Sequence, residues 1–589
     1  MIHRFRPHHW QKALAAIIVL FLIGCRTDHQ TVTINPPVLN AAWWKELIIY
    51  QIYPRSFSDS DGDGVGDIQG IIDKLDYIQS LGVTGVWLNP VYSSPNADNG
   101  YDVSDYRSIM SEFGTMEDFD HLLQGLHQRG IKLIMDIVVN HSSDEHEWFK
   151  QSRSSRDNPF RHFYHWWPAE KGKPPYRYSL FDPKGDAWQY DSTTNAYYLH
   201  YFSAKQPDLN WSNPRVRKEV FDIMNFWADK GVDGFRLDAF QFVAKDTTFP
   251  VLPDGYEKHF IDYYAMQDGI HDYLREMYDQ VFSRHDVLSV AEGAGRNFTD
   301  AHQLVDADRK ELNMAYAFDG VDIPQYGGYD LAQMKAVFTK WDQEFARDGW
   351  LSIFLANHDQ ARMVSRWASD APEFQSAATK LLNTFILSMR GTPYCYYGDE
   401  LGMTNIDLDS IGQYQDIAAI SSYQKALAEG EDMGLFMEKL NFNSRDNGRT
   451  PMQWDTTGEA GFTTGKPWLP VNPNHHTINV VTEERNAQSA LNHFKRMTAL
   501  RHEHPVLVYG DYQLVYANQP TVYAYTRTLA NETVLVLLNF STSPALMMLD
   551  QTDPVVSILI NNYDRLDFED NSINLQPYQA VILKLDGSK

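Results

Sequence analysis

The sequence predicts an α/β fold: a (β/α)8 TIM barrel with a subdomain inserted after the third strand and a C-terminal antiparallel β-sandwich. Short apolar strands recur along most of the chain, and amphipathic helical patterns separate them. After about residue 508 the pattern changes to alternating strands with turn residues between them. Continuous apolar strands that alternate with helices are typical of parallel strands buried on both faces, and eight such strands can close into a barrel.

The eight predicted strands each combine an apolar run with turn residues at its ends, as buried parallel strands do. Two of the segments between them, 118–129 and 214–230, place apolar residues at three- and four-residue spacing. This spacing predicts amphipathic helices. The predicted strands are 46–54, 82–90, 130–141, 231–240, 286–293, about 313–320, 350–359 and 391–400.

Residues 1–24 are predicted to be a bacterial lipoprotein signal peptide. Basic residues precede an apolar run from Ala13 to Ile23, which is too short to span a bilayer. The run ends in Leu-Ile-Gly-Cys, which resembles a lipobox, so Cys25 is the predicted lipidation site. Residues 25–42 would then be a tether. We therefore expect a protein of the bacterial cell envelope, periplasmic or at the outer membrane, that contacts the membrane only through its N-terminal lipid.

The other domain boundaries follow from loop lengths and composition. The segment 141–211 is too long for a simple loop and is crowded with aromatic residues and prolines, so it is predicted to be an inserted subdomain B. The barrel is predicted at 43–140 and 212–507, with a second long insertion after Leu401. The segment 508–589 is the predicted C-terminal β-sandwich domain.

The composition excludes some partners. The net charge of −26, from 51 basic and 77 acidic residues, argues against nucleic acid and against electrostatic attachment to a membrane. Of the two cysteines, Cys395 lies in an apolar strand and is expected to be a small core residue. With Cys25 acylated, no disulfide is expected within the chain. The oligomeric state stays unknown.

Reactive side chains fall at the carboxyl ends of the predicted strands, where barrel enzymes place their catalytic groups. Arg236 and Asp238 point the same way because strand side chains alternate, and a neighbouring cation keeps a carboxylate ionised and nucleophilic. Two carboxylates that face a glycosidic oxygen can act as nucleophile and as acid and base. In strand order the side chains are His141, Arg236 and Asp238, Glu292, and His358 and Asp359.

These motifs resemble those of the glycoside hydrolase family 13 (α-amylase) superfamily in order and spacing. The matching stretches are Asp136–His141, Gly234–Ala239, Glu292 and Phe354–Asp359, and Gly391–Glu400 resembles the family's eighth-strand motif. The resemblance covers nearly the whole mature chain.

The resemblance implies roles for individual residues. Asp238 would be the nucleophile, Glu292 would protonate the leaving oxygen and then activate water, and Asp359 would stabilise the transition state. The anomeric configuration would be retained. Glu292 needs a raised pKa to act as an acid at neutral pH. The glucose beside the cleaved bond would be held by Asp98, Tyr101, His141, Arg236, His358 and Arg449.

Two further stretches, Gln206–Asn210 and Ser444–Trp454, resemble motifs of the oligo-1,6-glucosidase group. That group removes single glucose units from non-reducing ends. Gln206 and Ala239 are the predicted specificity residues. In the group, valine directly after the nucleophile accompanies α-1,6 activity, and alanine or threonine accompanies α-1,4 activity. Ala239 therefore favours α-1,4 or mixed linkage.

An acidic, glycine-rich segment at 59–67 predicts a structural Ca²⁺ site. Alternating acids and glycines can form a tight loop of oxygen ligands for a hard cation. Gly70 occupies the twelfth position, where an EF-hand has glutamate, so the family resemblance implies a different Ca²⁺ loop after the first strand. A solvated acidic turn is the alternative, and no organic cofactor is expected. The expected ligands are Asp59, Asp61, Asp63, Asp67 and the carbonyl oxygen of Val65.

The sequence leads to a retaining, exo-acting α-glucosidase that acts on maltose- or isomaltose-type sugars. A sucrose isomerase or a trehalose-forming transglucosylase would share the same catalytic residues and pass the glucosyl unit to a sugar. An endo-acting amylase would act on starch and not on small sugars. A non-enzymatic sugar-binding relative would be expected to lack the three acids that this chain retains.

Overall fold

Eight parallel strands form a barrel at the centre of the structure, a computed structural model that describes residues 41–182, 185–549 and 554–586. The strands are β1 (Ile49–Ile52), β2 (Gly85–Leu88), β3 (Lys132–Val138), β4 (Gly234–Asp238), β5 (Leu288–Ala291), β6 (Met314–Ala315), β7 (Ser352–Ile353) and β8 (Thr392–Tyr396). They pair in the order β6-β5-β4-β3-β2-β1-β8-β7. Backbone pairing of Ala315 in β6 with Leu351, directly before β7, joins the two ends of this sheet. The predicted α/β barrel is confirmed.

The N-terminal predictions lie outside the described residues. These are the signal peptide, the lipidation site Cys25 and the tether as far as residue 40. Cys395 lies within the described part, in β8, and is buried as expected of a core residue. No helix of the described part is long and apolar enough to cross a membrane.

Long helices between the strands have clear start and stop signals. The helix Met116–Gln128 begins with a capping box in which Thr115 and Asp118 each bond the other's backbone N–H. The helix Pro214–Lys230 ends at Gly231, whose φ of 106° suits glycine. The other helices around the barrel are Ile68–Asp73, Leu75–Ser80, Ile270–Met277, Phe298–Val305, Leu331–Glu344, Gln375–Ser388 and Ala490–Glu503.

The segment between β3 and β4 contains its own antiparallel sheet. Ala196–Leu199 is the central strand, between Trp166–Pro168 and Trp188–Asp191. The two ends of the segment meet beside β3, where the N–H of Leu209 donates to the carbonyl of Asn140 at 2.9 Å. The inserted segment therefore leaves and rejoins the barrel at one place, next to the carboxyl end of β3.

A buried ion pair links this inserted segment to the barrel. Nζ of Lys245, in the loop after β4, lies 3.3 Å from Asp208 Oδ2, and neither side chain has exposed surface. Lys245 also donates to Asn140 Oδ1 at 2.8 Å and to the carbonyl of Phe242 at 2.7 Å. Burial raises the pKa of Asp208 to about 6 although Lys245 opposes the shift. One ammonium group thus joins the loop after β3, the inserted segment and the loop after β4.

The segment after β8 contains a pair of helices, Ile417–Glu429 and Met433–Asn443, which we call the helical hairpin. Ser421 on its first helix donates to the carbonyl of Phe181 in the inserted segment at 3.0 Å. Glu438 on its second helix accepts from the hydroxyl of Tyr326, in the loop after β6, at 2.8 Å. The hairpin therefore contacts loops on two sides of the same barrel end.

Two antiparallel sheets form the C-terminal part. Buried residues of both sheets, among them Leu535, Leu537, Met547 and Ile573, pack into one apolar cluster. This arrangement confirms the predicted β-sandwich. The five-stranded sheet has the order Asp511–Val515, Val522–Leu529, Glu532–Asn539, Ala580–Leu585 and Val555–Asn561, and the three-stranded sheet has the order Ala545–Met548, Ser572–Leu575 and Asp567–Glu569.

The buried pair predicts a large difference between two lysine substitutions. Lys245→Met leaves the buried Asp208 carboxylate without its cation, so we expect the free energy of unfolding to fall by about 3–5 kcal/mol. Lys205→Met is the matched control, because Lys205 pairs with Asp144 but is 54% exposed, and its expected loss is at most about 1 kcal/mol. Thermal unfolding followed by circular dichroism measures both.

Adding Asp208→Asn to Lys245→Met removes the unpaired charge and should recover part of the lost stability. Equal melting temperatures for Lys245→Met and Lys205→Met would contradict the assignment of a structural role to this pair.

Candidate active site

Arg236, in β4, joins three carboxylates at the carboxyl end of the barrel. Its Nη1 donates to Asp136 Oδ1 at 2.8 Å and to Asp238 Oδ1 at 2.6 Å, and its Nη2 pairs with Glu292 Oε1. Asp136 in β3 stands beside Arg236 in the strand register, and Glu292 directly follows β5. The parallel register of three adjacent strands therefore brings the predicted nucleophile and the predicted acid to one cation.

Burial and mutual repulsion shape the charge of this cluster. Burial raises the pKa of Asp238, and the charge of Glu292 raises it further, while Arg236 lowers it. Burial also raises the pKa of Glu292 against the effect of Arg236, and it raises the pKa of Asp136. One guanidinium cannot neutralise three buried carboxylates. The cluster therefore keeps a proton to a higher pH than free carboxyl groups do, and its members titrate together.

The chain turns sharply directly after Asp238. Ala239 has left-handed backbone angles, φ 49° and ψ 22°, which cost a non-glycine residue about 1–3 kcal/mol. Its N–H donates to Glu292 Oε2 at 2.6 Å, and a hydrogen bond to a charged acceptor offsets part of that strain. The same turn therefore ends β4 at Asp238 and fixes the carboxylate of Glu292.

His358 is held in one tautomer by a chain of hydrogen bonds. The amide nitrogen of Gln51 lies 2.9 Å from His358 Nδ1 and 2.9 Å from Asn89 Oδ1, so Nδ1 accepts and the ring proton is on Nε2. That nitrogen lies 2.7 Å from the hydroxyl of Tyr101, which donates to Asp136 Oδ2 at 2.8 Å. Burial lowers the pKa of His358 to about 3. The imidazole is therefore neutral at physiological pH and serves as a hydrogen-bond donor.

Two arginines hold Asp359 ionised. Its Oδ1 accepts from Arg445 Nη1 at 3.0 Å and from Arg449 Nη2 at 3.0 Å. Burial by itself raises the pKa of Asp359, but nearby positive charge outweighs burial and lowers it. Because His358 is neutral above about pH 3, the two arginines supply this charge. Asp359 therefore differs from the acids on Arg236, which keep a shared proton.

The short helix Arg445–Gly448 brings both arginines against the loop after β7. A Cβ at Gly448 would lie 2.4 Å from the carbonyl oxygen of Gln360, so only glycine allows this approach. Arg445 also pairs with Asp416 at the start of the helical hairpin and lies 3.7 Å from Asp98 Oδ1. It therefore connects two predicted site residues, Asp98 and Asp359.

Gln206, from the inserted segment, completes this side of the site. Its amide nitrogen lies 3.0 Å from Asp98 Oδ2 and 3.1 Å from His141 Nε2. Burial lowers the pKa of His141 to about 3 and raises that of Asp98 to about 7, with Arg445 opposing the shift at Asp98. The inserted segment thus supplies a side chain that orders two residues of the barrel loops.

A cavity of about 530 Å³ opens above these groups. Its size is typical of sites for small molecules. Phe181, Phe202 and Phe242 add apolar surface to its walls. Arg236 and Arg449 do not line it: both are almost fully buried behind the carboxylates that they contact. The predicted site residues that line the cavity are Asp98, Tyr101, His141, Gln206, Asp238, Ala239, Glu292, His358 and Asp359.

The sequence prediction left out two charged residues in or beside the cavity, Asp136 and Arg445, and one that fastens the inserted segment, Lys245. Asp136 is the third carboxylate on Arg236, and Arg445 lines the cavity. Both belong to stretches that resemble family motifs, so their place in those motifs was the available signal. Lys245 gives no such signal, because its importance depends on an ion pair with Asp208, far away in sequence.

The acidic loop after β1 brings three of the predicted Ca²⁺ ligands together. Carboxylate oxygens of Asp59, Asp61 and Asp67 lie within 4.8 Å of one another. Asp63 stands outside this group, and its Oδ1 accepts from the N–H of Val65 at 2.8 Å. Burial raises the pKa of Asp67. Three carboxylates in so small a volume repel one another, so this donor set fits a hard cation between them.

Two family models match the chain. The model of the α-amylase catalytic domain matches residues 51–510. This range includes nearly all of the barrel, the inserted segment and every residue of the cavity described above. The model of the α-amylase SusG C-terminal domain matches residues 522–582, which include most of the C-terminal strands.

Similar proteins are known from sequence and from structure. An oligo-1,6-glucosidase from Parageobacillus thermoglucosidasius is 47% identical over 567 residues, covering 93% of this chain and 100% of that protein. The structure of isomaltulose synthase from Klebsiella sp. LX3 is 43% identical with a TM-score of 0.90, covering 93% of this chain and 100% of that one. A trehalulose synthase mutant in complex with Tris is 41% identical with the same TM-score and the same coverage. The catalytic-domain match and this degree of identity show that the chain belongs to the α-amylase family, glycoside hydrolase family 13, and that it is a glycoside hydrolase.

Proposed function

We propose that the protein is a retaining, exo-acting α-glucosidase that releases glucose from the non-reducing ends of short α-glucosides, with α-1,4 or α-1,6 linkages. The observation that carries this proposal is the joint attachment of Asp238 and Glu292 to Arg236 at the wall of one cavity. The similarity to an oligo-1,6-glucosidase supports the same substrate class. Hydrolysis in this family needs no organic cofactor.

The first chemical step uses Asp238 and Glu292 together. A carboxylate oxygen of Asp238 attacks the anomeric carbon and forms a β-glucosyl ester, while the bond from that carbon to the glycosidic oxygen breaks. Glu292 gives its proton to the departing oxygen. Arg236 stabilises the ionised Asp238 before attack, and the buried cluster keeps the proton that Glu292 transfers.

The second step reverses these roles. Glu292, now a carboxylate, takes a proton from water, and the water oxygen attacks the anomeric carbon. The ester bond to Asp238 breaks, and the glucose leaves with its original α configuration. Asp359, kept ionised by Arg445 and Arg449, stabilises the positive charge that develops on the sugar in both transition states.

The inner end of the cavity accounts for exo action. Asp98, Gln206 and Arg445 form a cluster of buried polar groups there. We propose that these groups bind the terminal hydroxyls of one glucose unit. Asp98 lies in the loop after β2, and Arg445 lies in the turn after the helical hairpin. Their 3.7 Å contact closes this end of the cavity, so a longer sugar chain cannot extend in that direction.

A sucrose isomerase is the second candidate, because solved structures of isomaltulose and trehalulose synthases are 43% and 41% identical to this chain. An isomerase must exclude water from the glucosyl ester and keep the released sugar in place. The first three residues after Glu292 that line the cavity, Gly293, Ala294 and Gly295, are no larger than alanine, and the larger Arg296, Asn297 and Phe298 follow them. The small side chains directly beside the acid leave room for a water molecule, which supports hydrolysis.

Product analysis tests the proposed function. Wild-type protein incubated with maltose or isomaltose should release two glucose molecules per disaccharide, and proton NMR should detect the α anomer first. Asp238→Asn should lower kcat by about 10⁴-fold or more, because the nucleophile is lost. Asp233→Asn is the matched control: Asp233 precedes the same strand at its other end, where it pairs with Lys132, so most activity should remain.

Other products would contradict the proposal. A dominant isomeric disaccharide from sucrose would establish the isomerase, and activity on starch but on no small sugar would establish an endo-acting amylase. Full activity of Asp238→Asn would contradict the whole assignment of the site.

The pH profile tests the role of Glu292. Burial raises the pKa of this acid, and the proton that it must donate is lost as the pH rises through the raised pKa. We expect kcat/KM to fall on the alkaline side for this reason. His141 and His358 have pKa values of about 3 and contribute no titration near neutrality.

The variant Glu292→Gln has no carboxyl to titrate at this position. We expect a pre-steady-state burst when this variant cleaves an aryl α-glucoside, because the phenolate leaving group needs no proton. The rate of this burst should be independent of pH across the range where the wild type loses activity. A burst that declines with the wild-type profile would assign the alkaline limb to another group.

We propose that Ca²⁺ binds the acidic loop and stabilises the fold without entering the chemistry. The grouped carboxylates of Asp59, Asp61 and Asp67 support this proposal. Removal of the ion with EDTA should lower the melting temperature, and added Ca²⁺ should restore it, since a ligand at 100 times its Kd contributes about 2.7 kcal/mol. Asp61→Asn should abolish the response, and Asp105→Asn, outside the loop, should keep it. A melting temperature unaffected by EDTA would exclude the site.

A further inference from the structure

Four buried side chains behind and beside the catalytic cavity form a closed network of hydrogen bonds. Gln51 in β1 and Asn89, directly after β2, are 1% and 2% exposed, and neither lines the cavity. The amide nitrogen of Gln51 lies 2.9 Å from Asn89 Oδ1 and 2.9 Å from His358 Nδ1. The Tyr101 hydroxyl accepts from Asn89 Nδ2 at 2.8 Å and lies 2.7 Å from His358 Nε2. Two residues that face the substrate space, Tyr101 and His358, are therefore tied to two that do not.

One hydrogen bond leaves this network for the acid cluster on Arg236. The hydroxyl of Tyr101 donates to Asp136 Oδ2 at 2.8 Å, and Arg236 Nη1 donates to the other oxygen, Oδ1, at 2.8 Å. Both groups bonded to the Asp136 carboxylate are therefore donors. Because the side chain of Asp136 has no exposed surface, water does not supply an acceptor.

The number of donors and acceptors fixes the direction of these bonds. In the observed orientation of the two amides, the Tyr101 oxygen accepts from Asn89 and His358. Its own hydrogen then bonds Asp136, so that each of these groups has a partner. With both amides reversed, the Asn89 oxygen, His358 Nε2 and Asp136 would compete for one phenol hydrogen. A reversed His358 would also turn a lone pair toward Asp359 Oδ2, 3.2 Å away.

A proton on Asp136 has no acceptor in this arrangement. On Oδ2 it would meet the hydroxyl hydrogen of Tyr101, and on Oδ1 it would stand beside an N–H of Arg236. Burial raises the pKa of Asp136, and the charge of Arg236 and the hydrogen bond from Tyr101 oppose this rise. The other two acids on Arg236, Asp238 and Glu292, line the cavity.

Other ionisable groups around Asp136 keep one charge state near neutral pH. His358 is neutral, because burial lowers its pKa to about 3, and Asp359 is ionised. Burial keeps the nearby phenols neutral by raising their pKa values. These phenols belong to Tyr92, Tyr101 and Tyr316. Proton movement near neutrality therefore takes place within the three acids on Arg236.

We propose that the Tyr101 hydroxyl keeps the shared proton off Asp136 and so reserves it for the two acids at the cavity wall. Gln51 and Asn89 are positioning residues that act through this hydroxyl and do not touch the substrate. The inference rests on the α-glucosidase activity proposed above. It adds the reason why Glu292 has a proton ready for the glycosidic oxygen.

The variant Tyr101→Phe keeps the aromatic ring and removes only the hydroxyl. Asp136 loses a donor and becomes a better base, so it takes the shared proton in part of the molecules, in which Glu292 is then ionised. We expect the plateau of kcat/KM on the disaccharide that the wild type hydrolyses to fall by about tenfold. The alkaline limb should move to higher pH, because the cluster holds its proton more tightly. Above both limbs the two profiles should converge, since the proton affinity of Glu292 itself is unchanged.

An aryl α-glucoside gives a second readout on the same variant. Its phenolate leaves without a proton, so the pre-steady-state burst needs an ionised Asp238 and no acid. A proton on Asp136 leaves Asp238 ionised. The burst rate of Tyr101→Phe at the pH of the plateau should therefore stay within about twofold of the wild-type rate.

Two matched controls remove similar groups outside the network. The ring of Tyr53 stacks on His358 with centroids 6.2 Å apart and planes at 16°, and its hydroxyl has no hydrogen-bond partner among the described residues. Gln579 is a fully buried glutamine of the C-terminal part, and its amide nitrogen donates to Asn561 Oδ1 at 2.8 Å. Tyr53→Phe and Gln579→Met should both keep the wild-type plateau and alkaline limb.

The variant Gln51→Met tests the positioning residues and keeps the inference testable if Tyr101→Phe does not fold. Without the Gln51 amide, Asn89 can turn its oxygen toward Tyr101 and take the phenol hydrogen from Asp136. We expect a smaller fall of the plateau and a shift of the limb in the same direction. The double variant should lose no more than Tyr101→Phe alone, because both substitutions act through one hydroxyl.

The outcomes separate this inference from the proposed function. Losses in Tyr101→Phe that are equal at every pH, or equal on the disaccharide and the aryl glucoside, would overturn the inference and assign the hydroxyl to substrate binding or to folding. Additive losses in the double variant would overturn the role given to Gln51 and Asn89. A wild type that hydrolyses no α-glucoside would instead overturn the proposed function.

Discussion

The contact of one guanidinium, Arg236, with three carboxylates is the interaction on which the rest of the site depends. This cluster is buried, so water cannot screen a charge that has no partner. The protein itself must therefore supply the balance of positive and negative charge that the chemistry requires. Three adjacent strands deliver Asp136, Asp238 and Glu292 to it in register. The barrel therefore does more than present loops: its hydrogen-bond register sets the relative position of the predicted nucleophile and acid.

The sequence was sufficient where function depends on local pattern. Apolar runs and helical spacing predicted the barrel, and strand-end positions together with the family resemblance predicted Asp238, Glu292 and Asp359. It was insufficient where function depends on pairing across the fold. The sequence around Lys245 does not indicate its ion pair with Asp208, which only the folded structure shows. Asp63 alternates with the other acids of its loop, yet its carboxylate lies outside the group formed by Asp59, Asp61 and Asp67. Such cases are set by tertiary distance, which spacing along the chain does not encode.

Three segments outside the barrel strands make the two ends of the cavity different. The inserted segment contributes Gln206, the turn after the helical hairpin contributes Arg445, and the loop after β5 contributes Arg296. The first two converge on the inner end of the cavity, while the third lines its wall after the predicted acid. The barrel thus provides the predicted reacting groups, and these segments shape the walls of the cavity around them.

The cation that fastens the inserted segment is covalently part of the chain. A bound metal ion can dissociate when its concentration in solution is low, but the ammonium group of Lys245 cannot leave the chain. This junction therefore does not depend on the ions in the surrounding solution. Its amine is also out of reach of reagents while the segment is docked. The rate at which an amine-selective label reaches Lys245 would therefore report how often the segment lifts away from the barrel, a local opening that global melting does not resolve.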